Sequence, residues 1–268
     1  DLDQWRRALS RPAALVLLET PSNPMLEIVD VGAVAEMAHA AGAIVVVDNV
    51  FATPLLQEPL SLGADVVVYS CTKHMDGQGR VLGGAVLGRR KWMEETLQPF
   101  IRNTGPALSP FNAWVLLKGL ETLPVRIDAG CRSATTIADW LASQSGVTRV
   151  LYPTRADHPQ QALARAQMKG GGTVLTIEIA GGKPAAFRVM NALRLIAISN
   201  NLGDSKSLAT HPATTTHLKI GADERVRLGI TDGVIRLSVG LEDAQDLIED
   251  LDQSLTTARW AAASAAAD

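Results

Sequence analysis

The chain has 268 residues, 47% of them hydrophobic and 20% charged, with a formal net charge of −3 and a pI near 6.0. That is enough apolar content for a substantial core in one large or two modest domains, so disorder is not the default, and the slightly acidic balance gives no reason to expect a polyanion such as nucleic acid as partner. No apolar run approaches the roughly 20 residues that span a bilayer and no basic-then-apolar leader opens the sequence, so a soluble, cytoplasmic protein without a membrane partner is expected.

In chain order, the first 90 residues alternate short β-branched runs with helix-period segments, the pattern of parallel βαβ units covered on both faces. Strands are expected at residues 14–18, 43–47, 66–69 and 84–87. Between the first two, Asp30 can cap a helix whose apolar positions Val31, Val34, Ala35 and Ala38 recur at helical spacing, with Gly42 as its stop. Residues 108–123, followed by Pro124, read as a helix leading away from the sheet and put a domain boundary near residue 125. Residues 1–125 would then carry the sheet and 126–268 a smaller α+β domain. The latter holds two alternating strands, 173–179 and 234–239, and a last helix with Leu247, Ile248, Leu251 and Leu255 on one face. The Ala/Ser-rich tail, 261–268, is expected to fray. Cys71 and Cys131 match no zinc or redox spacing and read as reduced thiols, and no metal site is expected.

Ligands of an open parallel sheet sit outside the carboxyl ends of its strands, which directs attention to the residues just beyond each strand. Here these are Glu19-Thr20-Pro21-Ser22-Asn23-Pro24, then Asp48-Asn49, then Ser70-Cys71-Thr72-Lys73-His74. A lysine at the end of a buried strand is desolvated, which lowers its pKa and suits it to Schiff-base chemistry. A carboxylate such as Asp48 can keep a pyridine nitrogen protonated, and the hydroxyls of Ser70 and Thr72 suit phosphate oxygens. Taken singly, an Asp after a strand also reads as a turn or cap residue and a Lys as a solvated charge. The convergence of unlike groups on one rim is what points to chemistry. In the strand near residue 236, Ile235, Leu237 and Val239 face one way and leave Arg236 and Ser238 on the other; the guanidinium fork suits a carboxylate, although taken alone Arg236 reads first as a surface ion pair. The glycines of residues 77–84 fit neither a Walker loop nor a dinucleotide fingerprint.

The run Val66-Val67-Val68-Tyr69-Ser70-Cys71-Thr72-Lys73-His74-Met75-Asp76-Gly77-Gln78-Gly79-Arg80-Val81-Leu82-Gly83-Gly84 resembles the cofactor-lysine signature of the Cys/Met-metabolism enzymes that use pyridoxal 5′-phosphate (PLP). The segments beginning at Glu19, Val46, Ser199, Thr210 and Ile235 resemble further motifs of that family in the same order, so the resemblance covers the chain. It implies an α/β fold of the PLP-dependent transferase type I, aspartate-aminotransferase-like, with a large, mostly parallel sheet domain and a smaller C-terminal α+β domain. It further implies that Lys73 holds the cofactor and carries protons, that Asp48 pairs with the ring nitrogen, and that Ser70 and Thr72 contact the phosphate. Asn23 would lie on the side of the phenolic oxygen, and Arg236, helped by Ser199, would bind the substrate α-carboxylate.

Within the family, residues 76–80 and 199–217 look most like those of O-succinylhomoserine sulfhydrylases, with O-acetylhomoserine enzymes next. Cystathionine synthases and lyases typically carry Gly-Gly-x-Glu where this chain has Gly203-Asp204-Ser205-Lys206. The resemblance therefore implies γ-replacement on an amino-acid ester with sulfide, in a homotetramer or dimer with sites at subunit interfaces. It also implies that the chain begins inside the large domain, after a segment supplying a phosphate-binding turn and a Tyr that stacks on the ring. A catalytically silent fragment is the competing reading.

Overall fold

The computed structural model describes the backbone of residues 1–264 and the side chains of residues 1–258. After the short helix α1 (Leu2–Ala8), three five-residue strands, β1 (Leu15–Glu19), β2 (Ile44–Asp48) and β3 (Val66–Ser70), pair in parallel. A fourth, β4 (Gly84–Gly88), joins β3 antiparallel, which corrects the all-parallel expectation for the first 90 residues. The connection, residues 71–83, is built of turns and contains no crossover helix, so the chain doubles back beside β3 instead of returning parallel to it.

Helix α2 (Val31–Ala40) crosses from β1 to β2 as the periodicity predicts. Asp30 accepts a 2.9 Å hydrogen bond from the Ala33 N–H, a cap worth about 1 kcal/mol, and Gly42 follows the helix at φ 81°. Val31, Val34, Ala35 and Ala38 are buried against Val16, Leu18, Val45 and Val47. The alternate residues Leu15 and Leu17 lie 55% and 64% exposed on the other face. Only one face of this part of the sheet is therefore sealed by the described residues, whereas continuous apolar runs suggested burial on both.

After α3 (Thr53–Leu56), α4 (Arg90–Trp92) and α5 (Gln98–Thr104), the chain enters α6 (Pro110–Leu141). This helix does not stop before Pro124, as expected, but runs through it. An internal proline costs about 3 kcal/mol. Burial of Leu116, Leu123, Ile127, Ala134, Ile137 and Leu141 along one stripe offsets that, at about 1.5–3 kcal/mol for each large side chain. Residues on both sides of position 125 thus belong to one continuous helix.

The second sheet has the order β5 (Val147–Leu151), β6 (Val174–Ile179), β9 (Val234–Ser238), β8 (Leu208–Thr210) and β7 (Ala197–Ile198). It is antiparallel except for the β7–β8 pair. Helices α7 (Gln161–Gln167), α8 (Gly182–Ala192), α9 (Ala222–Arg227) and α10 (Ala244–Ser264) complete the chain. Leu247, Leu251 and Leu255 of α10 join Ile235 and Leu237 of β9 in the largest apolar cluster, with Ile248 at its margin. Of the expected frayed tail, Ala261 to Ser264 continue α10, and residues 265–268 lie outside the described residues. Cys71 is buried, Cys131 half-buried, and both are free. No helix among the described residues is long and apolar enough to cross a membrane.

Candidate active site

The carboxyl ends of β1, β2 and β3 carry Glu19, Asp48 and Ser70, and β9 of the second sheet brings Arg236 to the same place. Electrostatic coupling records the convergence: Glu19 feels both Asp48 and Arg236, and Lys73 feels Arg236. Behind these groups is a buried amide network. Asn49 donates to the Thr53 and Gln57 carbonyls, each at 3.0 Å, and to the Tyr69 hydroxyl at 2.9 Å. Gln57 in turn donates to the Asn49 side chain at 2.8 Å and the Thr20 carbonyl at 3.1 Å. The loop after β1, the loop after β2 and the end of β3 are locked together, so Asn49 serves the scaffold while Asp48, its neighbour in sequence, faces the site.

Lys73 begins a loop pinned from two sides. Arg126 of α6 donates to the carbonyls of His74 (2.7 Å), Met75 (3.3 Å) and Gly119 (2.8 Å). The Asp76 side chain, fully buried, accepts from the Arg80 Nε at 2.9 Å and the Val81 N–H at 3.3 Å. The Ser205 N–H donates to the Gly77 carbonyl at 2.7 Å. His74 is buried and its Nε2 bonds the Thr173 hydroxyl at 2.8 Å; burial, with Arg126 nearby, pushes its pKa down to about 4. The imidazole is therefore neutral at working pH and acts as a spacer between the Lys73 loop and the second sheet.

The Lys73 ammonium donates to the Asn201 side-chain oxygen. Burial holds its pKa below the ordinary lysine value, and Arg236 adds to the effect. Arg236 is 1% exposed; its Nη1 donates to the Asn23 Oδ1 at 2.9 Å and its Nη2 to the carbonyls of Asn200 and Asn201, both at 3.0 Å. Burial pushes its pKa down to about 10, against the attraction of Glu19. Its Nε is buried without a hydrogen-bond partner. Among the described residues, neither Lys73 nor Arg236 has a carboxylate within ion-pair distance. Two confined cations without an anion are a site prepared for an anionic ligand. The surface-pair reading of Arg236 is excluded by its burial.

Asp48 accepts from the Val50 N–H at 3.0 Å, and burial raises its pKa. Burial and the Asp48 charge push Glu19 further, up to about 7, while the Asn23 N–H and Arg236 pull the other way. Ser70 and Thr72 come next on the same rim, and the Thr72 hydroxyl accepts from the Gly83 N–H at 3.2 Å. An amine with lowered pKa, a carboxylate at a strand end, two hydroxyls and an unpaired guanidinium fit PLP in the roles expected for Lys73, Asp48, Ser70, Thr72 and Arg236. No group of three or more His, Cys, Asp or Glu among the described residues could hold a metal ion.

The structure adds contacts among these residues that no single segment of sequence shows. The Ser199 hydroxyl accepts from the Asn201 N–H at 3.2 Å, and it is Asn201 that reaches Lys73. Asn23 is occupied with Arg236. Glu19, Asn201, Arg126 and His217 were given no role by sequence; His217 lies in the same neighbourhood, facing the Asn23 backbone and coupled to Arg236, with its pKa lowered by burial. The register of Glu19 opposite Asp48 would have flagged the first. The second lay two residues beyond the chosen serine. Nothing local signals the hold of Arg126 on the Lys73 loop, whose carbonyls at His74 and Met75 lie more than 50 positions away.

A family model described as Cys/Met metabolism PLP-dependent enzyme matches residues 1–256. Over 260 residues the chain is 58% identical to an O-succinylhomoserine sulfhydrylase of Mycobacterium tuberculosis, covering 96% of this chain and 64% of that protein. It is 50% identical over 255 residues to the O-succinylhomoserine sulfhydrylase of Pseudomonas aeruginosa, covering 95% of this chain and 63% of that one. The chain thus spans somewhat less than two thirds of the length of these relatives. Among solved structures, cystathionine gamma synthase from Xanthomonas oryzae pv. oryzae in complex with cystathionine superposes with a TM-score of 0.94 at 41% identity, covering 97% of this chain and 67% of that one.

Proposed function

The chain belongs to the Cys/Met-metabolism PLP-dependent enzymes, and from that premise we propose that it carries the lysine and the substrate-carboxylate site of an O-succinylhomoserine sulfhydrylase. The reaction replaces the succinyl ester at Cγ with sulfide, giving homocysteine and succinate. The observation that carries this reading is the joint tether at Asn201: its side chain holds the Lys73 amine and its backbone carbonyl holds the Arg236 guanidinium. The 58% identity to a sulfhydrylase directs the choice of ester and nucleophile.

PLP, when bound, supplies an electron sink for charge developing at the substrate Cα. The chain's own residues do the rest. Lys73 would hold the cofactor through its amine and, as a free amine with lowered pKa, would take the Cα proton and return protons along the substrate. Asp48 would keep the cofactor's ring nitrogen protonated. Ser70 and Thr72 would hold its phosphate. Arg236 orients the substrate by its carboxylate, with its unpartnered Nε and the edge shared with Asn23 available for the purpose. Asn23 would lie on the side of the phenolic oxygen, and Ser199 would support the carboxylate site through Asn201. Assembly as a homotetramer or dimer, with a neighbouring copy completing each site, belongs to the same proposal.

Two measurements test it. Borohydride reduction of the chain mixed with PLP should label Lys73 in a peptide mass map, and Lys73→Ala should abolish the label together with the visible absorbance. Labelling elsewhere refutes the lysine assignment. Mixed with O-succinylhomoserine, sulfide and cysteine in equal amounts, the loaded protein should give homocysteine as the main product. Cystathionine as the main product would instead favour the synthase reading suggested by the structural likeness to cystathionine gamma synthase, and no turnover refutes catalysis by this chain.

A further inference from the structure

Glu19 is the last residue of β1 and Asp48 the last of β2, and the two are direct partners in the parallel register. Partners in adjacent parallel strands project from the same face about 5 Å apart at the backbone, so the two carboxyls stand side by side at the sheet edge. Below them on that face the partners are Leu17 beside Val46 and Leu15 beside Ile44, which offer no hydrogen bond from their side chains. From other elements Arg236 of β9 acts on Glu19, and Lys73 of the loop after β3 and His217 are in turn coupled to Arg236. Arg236 is buried with a free Nε, yet it makes no ion pair with either carboxyl within 4.0 Å among the described residues.

We infer that Glu19 holds a proton shared out of a Glu19–Asp48 carboxyl pair and is a positioning residue that leaves Asp48 as the ionised member facing the cofactor nitrogen. The inference rests on the proposed function for the cofactor and on the strand register for the pair itself. Two carboxylates at this spacing, half removed from water, do not both ionise readily, and the proton settles on the one whose anion is less well supported. Asp48 has the Val50 N–H at 3.0 Å to support its charge. Glu19 is the group that burial and its neighbour push up to about 7. Below about pH 7 one negative charge then occupies the rim, on the strand nearer Lys73, instead of two.

Infrared spectroscopy of the chain without cofactor reads the proton directly. The wild type should show the carbonyl stretch of a protonated carboxyl below neutral pH, fading as pH rises through about 7. Glu19→Gln, close in shape and unable to ionise, should lose that band, and Asp48→Asn should retain it but titrate it at lower pH because the neighbouring charge is gone. Circular dichroism confirms that both variants are folded. A wild type without the band, a band that survives in Glu19→Gln, or an Asp48→Asn titration that does not move would each overturn the inference. The readout needs no cofactor, so its failure is distinct from failure of the proposed function, which labelling at Lys73 and product identity decide.

Discussion

Gly119 lies in the middle of α6, where helix propensity alone predicts that Gly→Ala gains about 1 kcal/mol. The packing reverses the sign. A Cβ at position 119 would sit 2.2 Å from the Met75 carbonyl oxygen and 3.2 Å from that of Asp76, both backbone atoms of the loop that begins at Lys73. Restoring ordinary contact requires the loop or the helix to withdraw by about 1 Å, an overpacking cost of ~1–3 kcal/mol. The same movement stretches the Arg126 bonds to the His74 and Met75 carbonyls, each worth ~1 kcal/mol. Net destabilisation of about 2 kcal/mol is expected, read as a lower urea midpoint at unchanged slope, together with weaker PLP capture because the loop carries Lys73. Gly32 in α2 is the control: its Cβ would meet nothing nearer than 3.6 Å, so Gly32→Ala should be neutral to stabilising by up to about 1 kcal/mol. The reasoning fails if Gly119→Ala is as stable as the wild type, or if the two substitutions shift the midpoint in the same direction.

Two buried groups oppose each other in the pH dependence of stability. Glu19, raised from 4.5 to about 7, contributes stability that is full below pH 4.5 and lost as pH rises through about 7, while His74, lowered from 6.5 to about 4, contributes stability that is full above pH 6.5 and lost as pH falls through about 4. Each term is at most about 3 kcal/mol, so they largely offset one another in the wild type between pH 4.5 and 6.5. Glu19→Gln removes the first term; its stability relative to the wild type should climb across pH 4.5 to 7 in urea titrations, and a flat difference would show that the carboxyl is not perturbed. Asn201→Ala deprives Lys73 of its acceptor but leaves the backbone contact to Arg236, so PLP capture should weaken by about tenfold or more with the apparent substrate affinity nearly unchanged; equal losses in both would mean that the loop has collapsed. Asp250 accepts from the backbone N–H groups of Arg194, Leu195 and Ile196 at 2.8–2.9 Å, which holds its pKa below the usual carboxylate range. Asp250→Ala should cost ~2–3 kcal/mol in thermal unfolding without changing Lys73 labelling, and an unaltered midpoint would contradict the assignment.

The sequence by itself determined whatever depends on neighbours within a turn or a strand. Apolar runs located β1 to β4 to within a residue or two, and the Asp30 cap with its helical period located α2, because backbone geometry and side-chain alternation are local. Alternation along β9 put Arg236 opposite Ile235 and Leu237, and the residues after β2 and β3 gave Asp48 and Lys73 by position alone. Tertiary structure decided the rest. It turned β4 antiparallel, since residues 71–83 fold into turns and not a crossover helix, and it carried α6 through Pro124, since burial on one stripe outweighs the missing hydrogen bond. It brought Asn201 to Lys73, a contact between positions 128 apart, and it gave Arg236 a half-buried partner 213 positions away in Asn23. The protonation of Glu19 is of the same kind: it arises from burial and from a carboxylate on the adjacent strand, and a charge's desolvation and its neighbours exist only once the chain has closed around them.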